Sequence, residues 1–181
     1  MFTDVMLDLE TMGSTSNSAI VSIGAVEFNI ETGETGREFY RVVNLKSCLD
    51  FGLKIDASTV YWWLQQSQDA RDAICDKNND EIQNVLHEFS LWMNDSIQDI
   101  QIWGNGSRFD IGILSDAYIA CKLKIPWNYT KERDVRTLVA FAPQIKYDEI
   151  ANNNTLIHHP INDAKLQIKY CTKIYNKLNI Q

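Results

Sequence analysis

Apolar residues crowd the start of the chain at strand spacing. Val5, Met6, Leu7 and Leu9 fill residues 2–9, which predicts a β-strand. Residues 17–29 predict a second. Ile20, Ser22, Gly24, Val26 and Phe28 alternate there with Val21, Ile23 and Ala25, and apolar residues on both faces mark a central strand. The cluster Glu31-Thr32-Gly33-Glu34-Thr35-Gly36 predicts a turn, and residues 38–43 resume strand character, so a hairpin is expected. Three strands in succession make the sheet at least partly antiparallel. Residues 44–56 read as a connecting loop.

From Ala57 the period changes. Val60, Trp63 and Leu64 suit a short helix capped by Asp56 or Ser58, and a second helical piece follows Ser67. In residues 80–94, Ile82, Val85, Leu86, Phe89, Trp92 and Met93 fall at amphipathic spacing. Residues 100–103 predict a short strand running into Gly104-Asn105-Gly106-Ser107. A helix over 109–123 carries Ile113, Leu114, Ala117, Ala120 and Cys121 as its stripe, and Pro126 and Asn128 end it. Residues 133–142 predict another short helix. The polar stretch Asn152-Asn153-Asn154 leads to His158-His159-Pro160. A last helix, 160–178, spaces Ala164, Ile168, Cys171, Tyr175 and Leu178 four and three apart. No repeat or linker interrupts this order, so residues 1–181 read as one α/β domain with a mixed sheet flanked by helices.

Composition changes this picture little. Hydrophobic residues make up 45% and charged residues 23% of the chain, ordinary values for a globular protein. No apolar run approaches a membrane span of roughly 20 residues, and Met1 leads directly into a strand, so neither a membrane anchor nor a signal peptide is expected. Cys48, Cys75, Cys121 and Cys171 form no Cys-x-x-Cys pair. That argues against zinc and fits reduced thiols in a cytoplasm, with the three in helical patterns expected to be buried. The net charge of −7 argues against a protein that coats a duplex with a basic surface. It does not exclude an enzyme that inverts the local field with bound cations.

Candidate chemistry begins at Asp8-Leu9-Glu10-Thr11. Strand alternation places Asp8 and Glu10 on one side of the sheet, and two carboxylates held that close repel each other unless a divalent cation intervenes. Asp110 stands in the first turn of a helix, just after the glycine-containing loop. If residues 100–103 neighbour the first strand, Asp110 arrives beside Asp8 and Glu10. Gly104 and Gly106 allow close backbone approach there, by a nucleotide for example. Asp163 falls in the first turn of the last helix, after Pro160. Five residues earlier, in a loop with freedom to move, stands His158. An imidazole, with a reference pKa of about 6.5, can take a proton from water near neutral pH.

Taken together, Asp8-Leu9-Glu10-Thr11, Asn105-Gly106-Ser107-Arg108-Phe109-Asp110, and His158 with Asp163 resemble the three motifs of the DEDD 3′→5′ exonucleases, His-type branch. That branch includes polymerase proofreading subunits and ribonuclease T. Trp62-Trp63, Trp103-Gly104-Asn105-Gly106 and Arg133-Asp134-Val135-Arg136-Thr137 look most like the small phage- and prophage-encoded members. Pro160 departs from the small residue common at its position. The resemblance implies a ribonuclease H-like fold and hydrolysis with two magnesium or manganese ions, about 4 Å apart. Asp8 would bridge the ions, Glu10 and Asp163 would complete one, and Asp110 would hold the other. His158 would be the general base.

The implied substrate is single-stranded nucleic acid with a free 3′ end, DNA before RNA, in a bacterial cytoplasm; a homodimer is compatible with ribonuclease T-like relatives. Thr11, Met12, Trp62, Trp63, Asn105 and Phe109 are the expected substrate contacts. One of Trp62 and Trp63 is expected to be core rather than surface. Arg108 is a candidate phosphate contact, and Asp134 and Arg136 are read as fixing a helix start. Two alternatives stand beside this reading: an exoribonuclease, and a catalytically idle binding module. A metal titration separates the idle module, which should not bind two ions.

Overall fold

In the first strand, Asp4–Thr11 (β1), Val5, Leu7 and Leu9 enter one apolar cluster while Met6 enters another. Asp8 and Glu10 therefore continue the Met6 side, at the end where the apolar bulk runs out. The computed structural model describes residues 2–94, 99–106, 108–147 and 158–178. Ser107 and the expected Asn152-Asn153-Asn154 loop lie outside the described residues.

β1 pairs antiparallel with Ile20–Phe28 (β2), which pairs antiparallel with Thr35–Val43 (β3). As expected of a central strand, β2 is buried along its whole length. The hairpin turn is shorter than the sequence predicts. Asn29 Oδ1 accepts from the Glu31 and Thr32 amides, and Gly33 takes a left-handed φ of 72°, so β3 already begins at Thr35. The sheet continues through Asn79–Asp80 (β4), Gln101–Gly104 (β5) and Glu132–Asp134 (β6), in the order β4-β3-β2-β1-β5-β6. β5 lies parallel to β1, and β6 parallel to β5.

Three elements correct the sequence reading. β4 and β6 are too short to show any alternation, and Arg133 and Asp134, expected in a helix, are strand residues. The expected loop over 44–56 contains a helix, Leu45–Asp50 (α1), nucleated by Asn44, whose side chain accepts from the Ser47 amide. The other helices follow the expected order: Ala57–Leu64 (α2) capped by Asp56, Gln68–Ile74 (α3) capped by Ser67, Ile82–Asn94 (α4), Asp110–Ala120 (α5), Val135–Ala140 (α6) and Pro160–Leu178 (α7). Among the described residues, none of them is long and apolar enough to cross a membrane. Cys75, expected to be buried, is exposed at the end of α3, whereas Cys48, in α1, is buried with Cys121 and Cys171.

The helices divide between the two faces of the sheet. Val5, Leu7 and Ile23 pack with Leu86 and Phe89 of α4 and with Ile113 and Leu114 of α5. Met6, Val26 and Phe28 pack with Leu138 of α6 and with Ala164, Ile168 and Cys171 of α7. The second layer decides where Asp163 goes, because α7 starts directly over β2. A Cβ on Gly24 would lie 2.6 Å from Pro160 Cβ and 2.8 Å from the Pro160 carbonyl carbon. Gly24 is also the cross-strand partner of Asp8. Gly24→Ala must therefore push the first turn of α7 off the sheet, carrying Asp163 away from Asp8. Overpacking of this kind costs about 1–3 kcal/mol. A thermal melt should show that loss, and divalent-cation affinity should fall with it; an unchanged melt and affinity would mean that α7 is not seated by this contact.

Candidate active site

Because β1 and β5 are parallel, both point their carboxyl ends to the same edge, where open α/β sheets place their ligands. Asp8 and Glu10 come from β1, and Asp110 opens α5 just past β5. The Asp110 carboxylate is fixed by two main-chain amides: Oδ1 accepts from Leu9 at 3.1 Å and Oδ2 from Asn105 at 2.8 Å. A Cβ on Gly104 would sit 3.2 Å from Asp110 Cβ. The close approach at Gly104 is thus made by Asp110 itself.

Asp163 lies in the first turn of α7, and its Oδ2 accepts from the His158 amide at 3.0 Å. One helical turn further along, Gln167 Nε2 donates to Asp8 Oδ1 at 2.7 Å. Glu10, His158 and Asp163 bring donor atoms within 4.8 Å of one another.

Proton affinities record this crowding. Burial, then the charges of Asp110, Glu10 and Asp163, hold the Asp8 carboxyl well above its ordinary range. Glu10 is pushed up to about 8 by burial, Asp163 and Asp110. Asp110 rises to about 6 by burial, restrained by its two amides and by the Arg136 charge. Asp163 is raised by burial and restrained by the charge and amide of His158. Buried acids elsewhere are matched by donors. Glu27 holds Arg37 at 2.7 Å, and Asp4 accepts from Trp103 Nε1 at 2.8 Å. None of the four clustered carboxylates forms a salt bridge with a lysine or arginine among the described residues.

The buried Gln167 Oε1 beside them also has no partner among the described residues. Four carboxylates, Glu10 and Asp110 buried and Asp8 and Asp163 half-buried, have no lysine or arginine salt bridge among the described residues; flanked by an imidazole and an unused amide oxygen, they form a donor set that fits hard divalent cations. Asp8, Glu10, Asp110 and Asp163, with His158 at the rim, are the residues that could hold them.

The His158 ring packs against two tryptophans. It meets Trp62 edge-to-face at 4.9 Å and Trp63 at 6.2 Å, on a backbone with φ of 65°, a left-handed value uncommon outside glycine. The loop expected to give it freedom lies largely outside the described residues. Trp63 is buried, with Nε1 donating to the Thr11 carbonyl at 3.0 Å, so it offers no stacking face. Trp62 is 42% exposed beside His158 and does offer one. Thr11 and Met12 are also buried. The Thr11 hydroxyl donates to the Gly13 carbonyl at 2.7 Å. Phe109 is half-buried in a side groove with Arg108, and Asn105 lines the main cleft.

That cleft has a volume of about 480 Å³ and joins Asp8, Asp163, His158 and Asn105 to residues the sequence reading did not single out. Gln167 and Tyr147 are among them. Tyr147 stands edge-to-face on Tyr170 at 5.5 Å, and burial with the Asp163 and Asp8 charges pushes its hydroxyl up to about 12. Arg136, read from the sequence only as fixing a helix start, also lines the cleft. Asp134 does cap α6, accepting from the Arg136 and Thr137 amides, but the Arg136 side chain turns into the cleft. Gln167 had a sequence signal, being a polar residue on the apolar stripe of α7, four positions after Asp163. Tyr147 had none.

With this geometry established, similarity becomes informative. The profile of the Rv2179c-like family, described as a 3'-5' exoribonuclease Rv2179c-like domain, matches residues 3–175. The chain belongs to this family. An exodeoxyribonuclease of Enterobacteria phage T4 is 31% identical over 126 residues, covering 62% of this chain and 54% of that protein. The matched stretch thus spans about half of that relative.

Among solved structures, the nuclease domain of 3'hExo, a DEDDh family member bound to rAMP, superposes with a TM-score of 0.69 at 14% identity, covering 97% of this chain and 93% of that one. E. coli Exonuclease I in complex with a dT13 oligonucleotide gives 0.71 at 12% identity, over 99% of this chain and 42% of the other. Pop2p of S. pombe, in a form with Mg2+ and Mn2+ bound, gives 0.64 at 13% identity, over 97% and 84%. At these identities the likeness establishes the fold, which is the ribonuclease H-like fold expected from the sequence.

Proposed function

We propose that the chain is a divalent-metal-dependent exonuclease that removes nucleotides one at a time from the 3′ end of single-stranded nucleic acid. The observation that carries this reading is the meeting of four carboxylates, Asp8, Glu10, Asp110 and Asp163, which form no lysine or arginine salt bridge among the described residues, with His158 beside them. Magnesium or manganese bound by Asp8, Glu10, Asp110 and Asp163 supplies the positive charge that phosphodiester hydrolysis needs at the scissile phosphate and the leaving oxygen.

The side chains do the rest. His158 takes a proton from the attacking water at a ring nitrogen. The water oxygen becomes bonded to phosphorus, the bond to the upstream 3′ oxygen breaks, and that oxygen regains a proton. A nucleoside 5′-monophosphate leaves, and the shortened strand keeps a 3′ hydroxyl. Gln167 orients Asp8 by its 2.7 Å hydrogen bond. The exposed face of Trp62 stacks on the terminal base without reading sequence, and Asn105 offers a polar contact at the cleft wall.

The likeness to the phage exodeoxyribonuclease supports DNA as the substrate. The exoribonuclease description of the family favours RNA as a second reading. Matched DNA and RNA oligonucleotides, labelled at the 5′ end, decide between them. On the preferred strand, a 3′-terminal phosphate should stop digestion while a 5′ block should not. Cleavage of a closed circular single strand would mean an endonuclease and overturn the proposal.

A further inference from the structure

The chain has six arginines, and four have an engaged guanidinium. Arg37 holds Glu27, and Arg41 holds Glu88. Arg71 donates to the Leu64 and Gln66 carbonyls, and Arg133 to those of Thr130 and Glu132. The remaining two, Arg108 and Arg136, donate no guanidinium hydrogen bond and form no ion pair among the described residues. In a chain with net charge −7, where acids outnumber bases, two adjacent unpaired guanidinium groups need a reason.

Their location supplies one. Both line a groove of about 280 Å³ with Phe109, Ser14, Gly106 and Asp134. Arg136 also lines the carboxylate cleft, so the groove and the cleft meet at its side chain. Its guanidinium lies over Gly106, where a Cβ would come within 3.4 Å of Arg136 Cζ and where φ is 132°. The φ of 132° is what calls for glycine there, and the guanidinium packs on it at ordinary contact distance. An arginine fork matches two phosphate oxygens, and the half-buried ring of Phe109 beside it suits an adjacent base.

We infer that this groove is a phosphate subsite: Arg136 and Arg108 bind non-scissile phosphates of a strand whose 3′ end occupies the carboxylate cleft, and Phe109 packs against a neighbouring base. The inference rests on the exonuclease reading and adds the path of the strand. Contacts of this kind go to the backbone, so they give grip and register without sequence preference.

The test has two parts. Binding of a 5′-fluorescein oligothymidylate is measured in chelator over a salt series, for wild type, Arg136→Gln, Arg136→Lys, Arg108→Gln and, as a distant control, Lys46→Gln. Each glutamine variant at the groove should flatten the salt slope by about 0.7, the value for one phosphate contact on a single strand. Arg136→Lys should keep most of the slope, and Lys46→Gln all of it. Turnover with metal is then compared on that oligomer and on a dinucleotide, whose single phosphate is the scissile one. Arg136→Gln should raise KM on the oligomer by about tenfold and leave the dinucleotide nearly unchanged.

Equal losses on both substrates would place Arg136 at the reaction centre, through its charge on Asp110, and overturn the subsite. An unchanged salt slope in both glutamine variants would overturn it as well. If wild type binds the oligomer but cleaves neither substrate, the exonuclease reading fails instead.

Discussion

Asp8→Asn should lower 3′→5′ digestion by about a thousandfold or more, the scale on which removal of an electrostatic clamp is felt, while the metal-free protein becomes more stable. Both effects have the same source. Asp8 faces Asp110, Glu10 and Asp163 in a cluster with no lysine or arginine salt bridge among the described residues, so the charge that would bind cations destabilises the metal-free protein. Asparagine removes one charge and keeps an oxygen that can accept from Gln167.

The pH dependence follows from the direction of the shifts. A carboxyl whose folded value lies above its unfolded one binds its proton more tightly in the folded state. The protein is then penalised progressively as pH rises from the unfolded value to the folded value. For Glu10 that window runs from about 4.5 to about 8. In chelator, wild type should therefore melt lower at pH 8 than at pH 5, and Asp8→Asn should melt above wild type by a margin that widens across the same range. Magnesium or manganese should reverse the order, raising the wild-type Tm more than that of the variant. Normal digestion by purified Asp8→Asn would sink the assignment, and a melt insensitive to pH and metal would sink its electrostatic basis.

The sequence made the long, strongly patterned elements readable. Two-sided burial marked β2, and the bounds of α7 agree with the 160–178 stripe because Pro160 announces its start. The meeting of Asp8, Glu10, Asp110 and Asp163 was readable through strand alternation and two helix starts. It required one guess about long-range pairing, that β5 neighbours β1, which the parallel register of Met6 with Trp103 bears out. What escaped depends on contacts that local pattern cannot carry. β4 and β6 exist only by pairing with strands far away in the chain. Trp62 and Trp63 are indistinguishable as letters, and the reach of Trp63 to the Thr11 carbonyl decides which one is core. Arg136 looked like part of a helix cap because its main-chain amide is one; its side chain has a separate destination.

The two adjacent histidines give the sharpest remaining test, because the structure gives them different surroundings. His159 stands directly before α7. Its main-chain carbonyl does accept from the Asn162 and Asp163 amides, but its ring lies on Tyr40 at 4.7 Å and is tilted by 30°. That ring is half-buried packing. The His158 ring instead shares the carboxylate cleft and reaches within 4.8 Å of Glu10 and Asp163 donor atoms. A general base contributes about 100- to 10,000-fold, so His158→Ala should lose activity on that scale, and His159→Ala by less than about tenfold. His158→Asn separates chemistry from backbone. Asparagine accepts the left-handed φ of 65° better than alanine, so it should restore thermal stability lost in the alanine variant without restoring turnover. Calorimetric titration with manganese adds the deciding readout. A base that only moves a proton leaves cation affinity intact in both His158 variants, whereas a ligand weakens it in both. If His159→Ala is the inactive protein and His158→Ala digests normally, the base is the histidine stacked on Tyr40, and α7 must move to present it.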